Sequence, residues 1–159
     1  AEHEPNVLTL ETQDAIFAAI PEPDRGIFLA LGRMGLRPNE GVALRASDYR
    51  DGWLHVTRAV KGRRLSDPIR APKNNRGKRL PTDPELQQWI EDHVPHDRRL
   101  QGGLLFENSR GDSDSRQWTP TSLRRRWEAA CRVVGLELPI SLYEGNQAHL
   151  RHEREAQGR

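Results

Sequence analysis

The run Ile27-Phe28-Leu29-Ala30-Leu31 limits the fold more than any other stretch of this chain. Five consecutive apolar residues in a helical pattern leave no face for water. A helix of that kind is stable only when other elements surround it, so it belongs at the centre of the domain. Asp24 opens the helix and Gly35 closes it, because glycine accepts the left-handed conformation that follows many helix ends. The 159 residues suffice for one domain around such a helix and are too few for two ordinary ones.

The rest of the pattern fits around that core. Thr9 caps an earlier helix with Glu11 in its first turn and Ile16, Ala19 and Ile20 at helical spacing; Pro21-Glu22-Pro23 ends it. Pro38 suits the first turn of a short helix reaching about Leu44. Ser47 to Gly52 reads as a turn, and Trp53 to Val60 as a strand with Leu54 and Val56 on one face. Two basic turn segments, Lys61-Gly62-Arg63-Arg64 and Lys73 to Lys78, bracket short strands near Ile69 and Leu80. Thr82 and Glu85 stand at capping-box spacing for a helix reaching about His93. Leu104 to Phe106 is a short strand or buried anchor, and Asn108 to Gln117 is a polar loop. Thr119-Pro120 opens a final helix with Leu123, Trp127, Ala130 and Val134 inward, closed by Gly135. The fold class is therefore α+β, mainly α, with a small antiparallel sheet, and no internal repeat is visible.

Composition narrows the function classes. The net charge is only +2, but nine Lys or Arg and a single acid, Asp67, fall between Arg58 and Arg79. That local excess is a footprint for phosphate and equally the composition of a solvated hairpin. Cys131 is the only cysteine, so no intrachain disulfide is possible, and a reducing, cytoplasmic location is expected. No apolar run approaches the roughly 18 residues of a membrane span, and Ala1 to Asn6 is unlike a signal peptide. His93 and His96 are three apart, but Pro95 breaks the helix between them and no third ligand is in view. Neither metal nor cofactor is expected.

The segment Gly35-Leu36-Arg37-Pro38-Asn39-Glu40-Gly41-Val42-Ala43-Leu44-Arg45-Ala46-Ser47-Asp48 resembles the first catalytic-arginine motif of the tyrosine recombinases, the phage-integrase family. There, a buried helix ends at Gly-Leu-Arg and the arginine faces DNA. The resemblance implies that Arg37 binds the scissile phosphate; Glu40, one helical turn on, is placed to pair with it and orient it, or to form with it an ordinary salt bridge. A guanidinium suits that role because its planar fork makes two hydrogen bonds to phosphate and stays charged. The resemblance also implies that Lys73, followed by a turn and Arg79-Leu80-Pro81, is the hairpin lysine that protonates the leaving 5′-oxygen. Lys61 and Lys78 compete for that role on residue type alone. Lys61, Arg63, Arg64, Arg76 and Lys78 on the hairpin, and Arg124 and Arg125 on the last helix, are candidates for DNA contact.

The family next carries a His-x-x-Arg-His-Thr stretch. After Tyr143-Glu144-Gly145 this chain reads Asn146-Gln147-Ala148-His149-Leu150-Arg151-His152-Glu153. In one reading Leu150-Arg151-His152 is the motif and Arg151 the second phosphate arginine. In the other, the codons from Asn146 to Glu153 read one base along as Thr-Lys-His-Thr-Phe-Ala-Thr-Asn, directly after Gly145. Residues 1–145 are then a partial recombinase catalytic domain lacking its C-terminal helices, and 146–159 a polar tail foreign to the fold. Neither Tyr49 nor Tyr143 falls where the family's nucleophile would be. The expectation is a fragment that binds duplex DNA and is inactive alone, from a parent that self-assembles on DNA and acts in mobile-element integration or excision. Two other readings stay open: a catalytically silent DNA-binding domain, and a protein-interaction module whose basic hairpin is only surface.

Overall fold

The computed structural model describes residues 9–60, 69–70, 77–112 and 115–137. The chain begins with three helices, α1 (Leu10–Ala19), α2 (Glu22–Met34) and α3 (Pro38–Ala43), and a single 3-10 turn, Ala46–Asp48. Five short strands follow: β1 (Tyr49–Arg50), β2 (Trp53–Val56), β3 (Ala59–Val60), β4 (Ile69–Arg70) and β5 (Lys78–Pro81). Then come α4 (Pro84–His93), α5 (His96–Gln101), the hairpin β6 (Glu107–Asp112) and β7 (Ser115–Gln117), and α6 (Pro120–Val134). The architecture is mainly helical with a small antiparallel sheet.

The apolar run sits where the pattern places it. Residues Ile27 to Leu31 are all buried, and α2 packs against α1, α3, α4 and β6. Phe28 meets Trp118 edge-on at 5.6 Å between ring centroids and stacks on Trp127 at 6.3 Å. Trp127 in turn meets Phe17 of α1, so α6 and α1 close one side of the central helix. On another side Trp89 of α4 lies flat over Gly26, in the space a Cβ at that position would occupy. Only glycine permits this approach of α4 to α2.

The main sheet has the order β1-β2-β5, all antiparallel, with Leu54 opposite Leu80 and Val56 opposite Lys78. Asp51 and Gly52, both at positive φ, form the two-residue turn between β1 and β2, a geometry that matches the twist of the flanking strands. Leu54 and Val56 face the core, while Trp53 and His55 face outward.

Four local expectations are corrected. The second helix begins at Glu22 rather than Asp24, with Pro23 in its first turn, which frees the Asp24 carboxylate to point inward. Trp53 to Val60 is two strands: β2 pairs with β5, β3 pairs with β4, and the break falls at Thr57-Arg58. Asp83, not Thr82, caps α4, accepting the N–H groups of Glu85 and Leu86, because Pro84 takes the first helical position. Asn108 to Gln117 is a hairpin rather than a loop; its polar residues suit a ribbon with solvent on one side, and period-2 hydrophobicity never marks it. The short helix α5 was not legible either, since it buries no residue and carries no apolar stripe.

Candidate nucleic-acid interface

The geometry around Arg37 follows from how α2 ends. Gly35 adopts φ 70°, ψ 24°, which turns the chain sharply out of the helix. Leu36 drops back into the core, and Arg37 is extended outward as the N-cap of α3, with Pro38 fixing the next turn. The Arg37 backbone is held by Glu40, whose Oε1 accepts its N–H at 3.0 Å. The same oxygen lies 3.3 Å from the Lys78 ammonium on β5. The Arg37 guanidinium is exposed and, among the described residues, has no hydrogen bond or ion pair. The ion pair expected between Arg37 and Glu40 is therefore absent. Glu40 sits at the third helical position, where its carboxylate curls back to the N-cap backbone, and Lys78 supplies the countercharge.

Lys61, Arg63, Arg64, Lys73 and Arg76 lie outside the described residues, as do Arg151 and Tyr143. The segment leaves from Val60 and returns at Gly77, one residue before Lys78. On the outer face of the sheet Arg79 stacks over Trp53, 4.3 Å from the ring centroid, with His55 opposite Arg79. Sequence reasoning missed this pair; the alternation of β2 puts Trp53 outward, and an adjacent-strand arginine was the available signal.

The three consecutive arginines of α6 divide by helical position. Arg124 and Arg125 are exposed, whereas Arg126 turns inward and its Nη2 lies 3.1 Å from Oδ2 of Asp24. Asp24 is fully buried, and its Oδ1 accepts the N–H of Ser109 at 3.0 Å. This ties α6, α2 and β6 together. Beside it is a cavity of about 300 Å³ lined by Arg110, Arg125, Arg126, Asn108, Trp118 and Ser122. Arg110 reaches it from the segment read in sequence as a loop.

No protein-family model matches the sequence, and no curated relative matches it. Solved structures do match its fold. The Tn1549 transposon integrase in complex with transposon right-end DNA superimposes with a TM-score of 0.75 at 13% identity, covering 97% of this chain and 54% of that one. Lambda integrase bound to DNA gives a TM-score of 0.66 at 16% identity, covering 98% and 53%. The XerH site-specific recombinase in a pre-cleavage complex with its difH substrate gives 0.64 at 15% identity, covering 98% and 44%. The fold is that of a tyrosine-recombinase catalytic domain. This chain spans about half the length of the solved structures it matches.

Tyr49 is buried on β1 beneath the Arg99 guanidinium, 5.5 Å from its ring, and burial, followed by the nearby Glu91 charge, raises its phenol above the ordinary value. Burial likewise pushes the Cys131 thiol up to about 11, so it packs as a small apolar residue at neutral pH. Arg98 is lowered, first by burial, and pairs with Glu107. His93 stacks on Trp89 with Nδ1 3.0 Å from that residue's carbonyl oxygen, and His96 opens α5 with its side chain exposed. Among the described residues, no three His, Cys, Asp or Glu side chains converge to hold a metal, and no helix is long and apolar enough to cross a membrane.

Proposed function

We propose that this chain is a portion of a tyrosine-recombinase catalytic domain that grips the backbone of duplex DNA through Arg37 and the basic hairpin. The observation that carries this is the state of Arg37. It is fixed at the backbone by Gly35, Pro38 and Glu40, yet its guanidinium is exposed and has no hydrogen bond or ion pair among the described residues. A guanidinium on an anchored backbone, with no partner among the described residues, can make bidentate bonds to phosphate without first breaking an ion pair with any of them. The DNA held by the integrase and recombinase structures of the same fold supports the choice of partner. Lys61, Arg63, Arg64, Arg76 and Lys73 extend the contact, with Lys73 as the leaving-group acid of the whole enzyme; Arg124 and Arg125 add phosphate contacts from α6. Cytoplasmic action fits the single buried thiol.

Cleavage by these 159 residues is not part of the proposal. The covalent step of such an enzyme needs a nucleophile beside the bound phosphate, and Tyr49 is buried under Arg99 instead. Fluorescence anisotropy with a labelled duplex tests binding. We expect affinity to fall steeply and linearly in log–log form as salt rises, as counterion release demands. Weak binding that is indifferent to salt, and unchanged by Lys73→Ala with Arg76→Ala, contradicts the reading and favours a protein partner.

We further propose that residues 146–159 are out of frame with the domain. The codons for Asn146 to Glu153 permit Thr-Lys-His-Thr-Phe-Ala-Thr-Asn one base along, and a CAG codon at Gln147 makes the second of these arginine rather than lysine. Sequencing the coding DNA from Gly145 decides it. An open next frame leading to a tyrosine supports the proposal, and an early stop in that frame removes it, leaving Arg151 as the candidate second arginine.

A further inference from the structure

Glu40 stands three residues from Arg37, within ordinary reach of its guanidinium at first-turn spacing, yet the two side chains do not pair. The Glu40 side chain is 13% exposed and Lys78 is 45% exposed, so the carboxylate lies in the protein surface and the ammonium covers it from outside. Lys78 comes from β5, at the point where the basic segment rejoins the sheet opposite Val56. Its neighbour Gly77 packs closely on Thr57, whose Cγ2 lies 2.9 Å from where a Cβ at that position would stand. Lys78 is thus delivered by the sheet register rather than by its own reach.

We propose that Lys78 is a positioning residue: it neutralises Glu40 and so keeps the Arg37 guanidinium available for phosphate. In its absence Glu40 is an uncompensated carboxylate beside a cation that has no partner among the described residues, and the two close on each other. Phosphate then competes with Glu40 for Arg37. Because Lys78 directly follows the basic hairpin, the same contact makes Arg37 free only when β5 is correctly paired. The consequence for DNA rests on the reading of Arg37 as a phosphate ligand; the release of the guanidinium does not.

The test uses Lys78→Met, Glu40→Gln and the double variant of the full chain. Glutamine keeps an oxygen for the Arg37 N–H and removes the charge. The first readout needs no DNA: the rate at which phenylglyoxal modifies Arg37, followed by peptide mass spectrometry. We expect it to slow about threefold in Lys78→Met, the scale of an exposed ion pair, and to recover in the double variant. Equal rates in all four proteins overturn the proposal. The second readout is duplex affinity and its salt slope. Lys78→Met weakens binding and lowers the slope by about one, and Glu40→Gln in that background restores both. If Lys78 instead touches a phosphate itself, Glu40→Gln does not rescue binding, which overturns the positioning role. Arg37→Ala is the separating control. If it leaves DNA affinity unchanged, the phosphate reading fails while the phenylglyoxal result still judges Lys78.

Discussion

Each end of α2 brings together an arginine and an acid, and the two pairs behave oppositely. Near the N-terminal end Asp24 is fully buried, Arg126 is 11% exposed, and the two lie 3.1 Å apart. Past the C-terminal end Arg37 is exposed, and its acid, Glu40, is occupied by a backbone N–H and Lys78. The chain uses Arg126 to join three elements, whereas among the described residues the Arg37 guanidinium has no partner. A guanidinium is available to a ligand only where its nearest carboxylate has another partner, and sequence spacing alone does not reveal which case applies.

The largest expected effect comes from breaking the buried pair. Asp24→Ala leaves Arg126 without its counterion and the Ser109 N–H without an acceptor, and should lower unfolding free energy by about 3–5 kcal/mol in urea titration. Next is the turn that aims Arg37. Gly35→Ala forces a Cβ into the left-handed region and should cost about 1–2 kcal/mol by the same assay. A smaller effect separates the arginines of α6. Arg124→Ala and Arg125→Ala should leave stability within about 0.5 kcal/mol of the parent and each reduce the DNA salt slope by about one. Arg126→Ala should instead lose stability, and the reverse assignment would dissolve the contrast between the two ends.

The smallest effect concerns pH. The folded Cys131 thiol titrates near 11, above its unfolded value, so the native state keeps a proton that the unfolded chain releases. Stability from this group is complete below the unfolded pKa, near pH 8.5 to 9, and is lost as pH rises through about 11. Tyr49, also raised by burial, acts in the same direction once pH rises above the ordinary phenol value near 10. Comparing Cys131→Val with the parent from pH 8 to 11 should show a shallower decline in the variant.

The central helix was legible because an unbroken apolar run allows one environment, and the caps at Thr9, Thr119, Gly35 and Gly135 were legible because their chemistry is local. The β6–β7 hairpin and α5 were not, since neither buries a periodic stripe. At the candidate site, Arg37 stood out through the Gly-Leu-Arg-Pro turn, and Glu40 was singled out with the wrong side-chain partner. Lys78 lies 38 residues from Glu40, and only the pairing of β2 with β5 brings them together. Asp24 looked like a helix-opening residue until three-dimensional packing turned it toward Arg126 and Ser109.

The most direct test of the account is the salt dependence of duplex DNA binding by the full chain against Arg37→Ala, with urea stability measured on both. The account predicts roughly tenfold weaker binding, a slope smaller by about one, and stability unchanged within about 0.5 kcal/mol. Identical affinity and slope in the two proteins would contradict it, and would make Arg37 an ordinary surface residue of a recombinase-like fold.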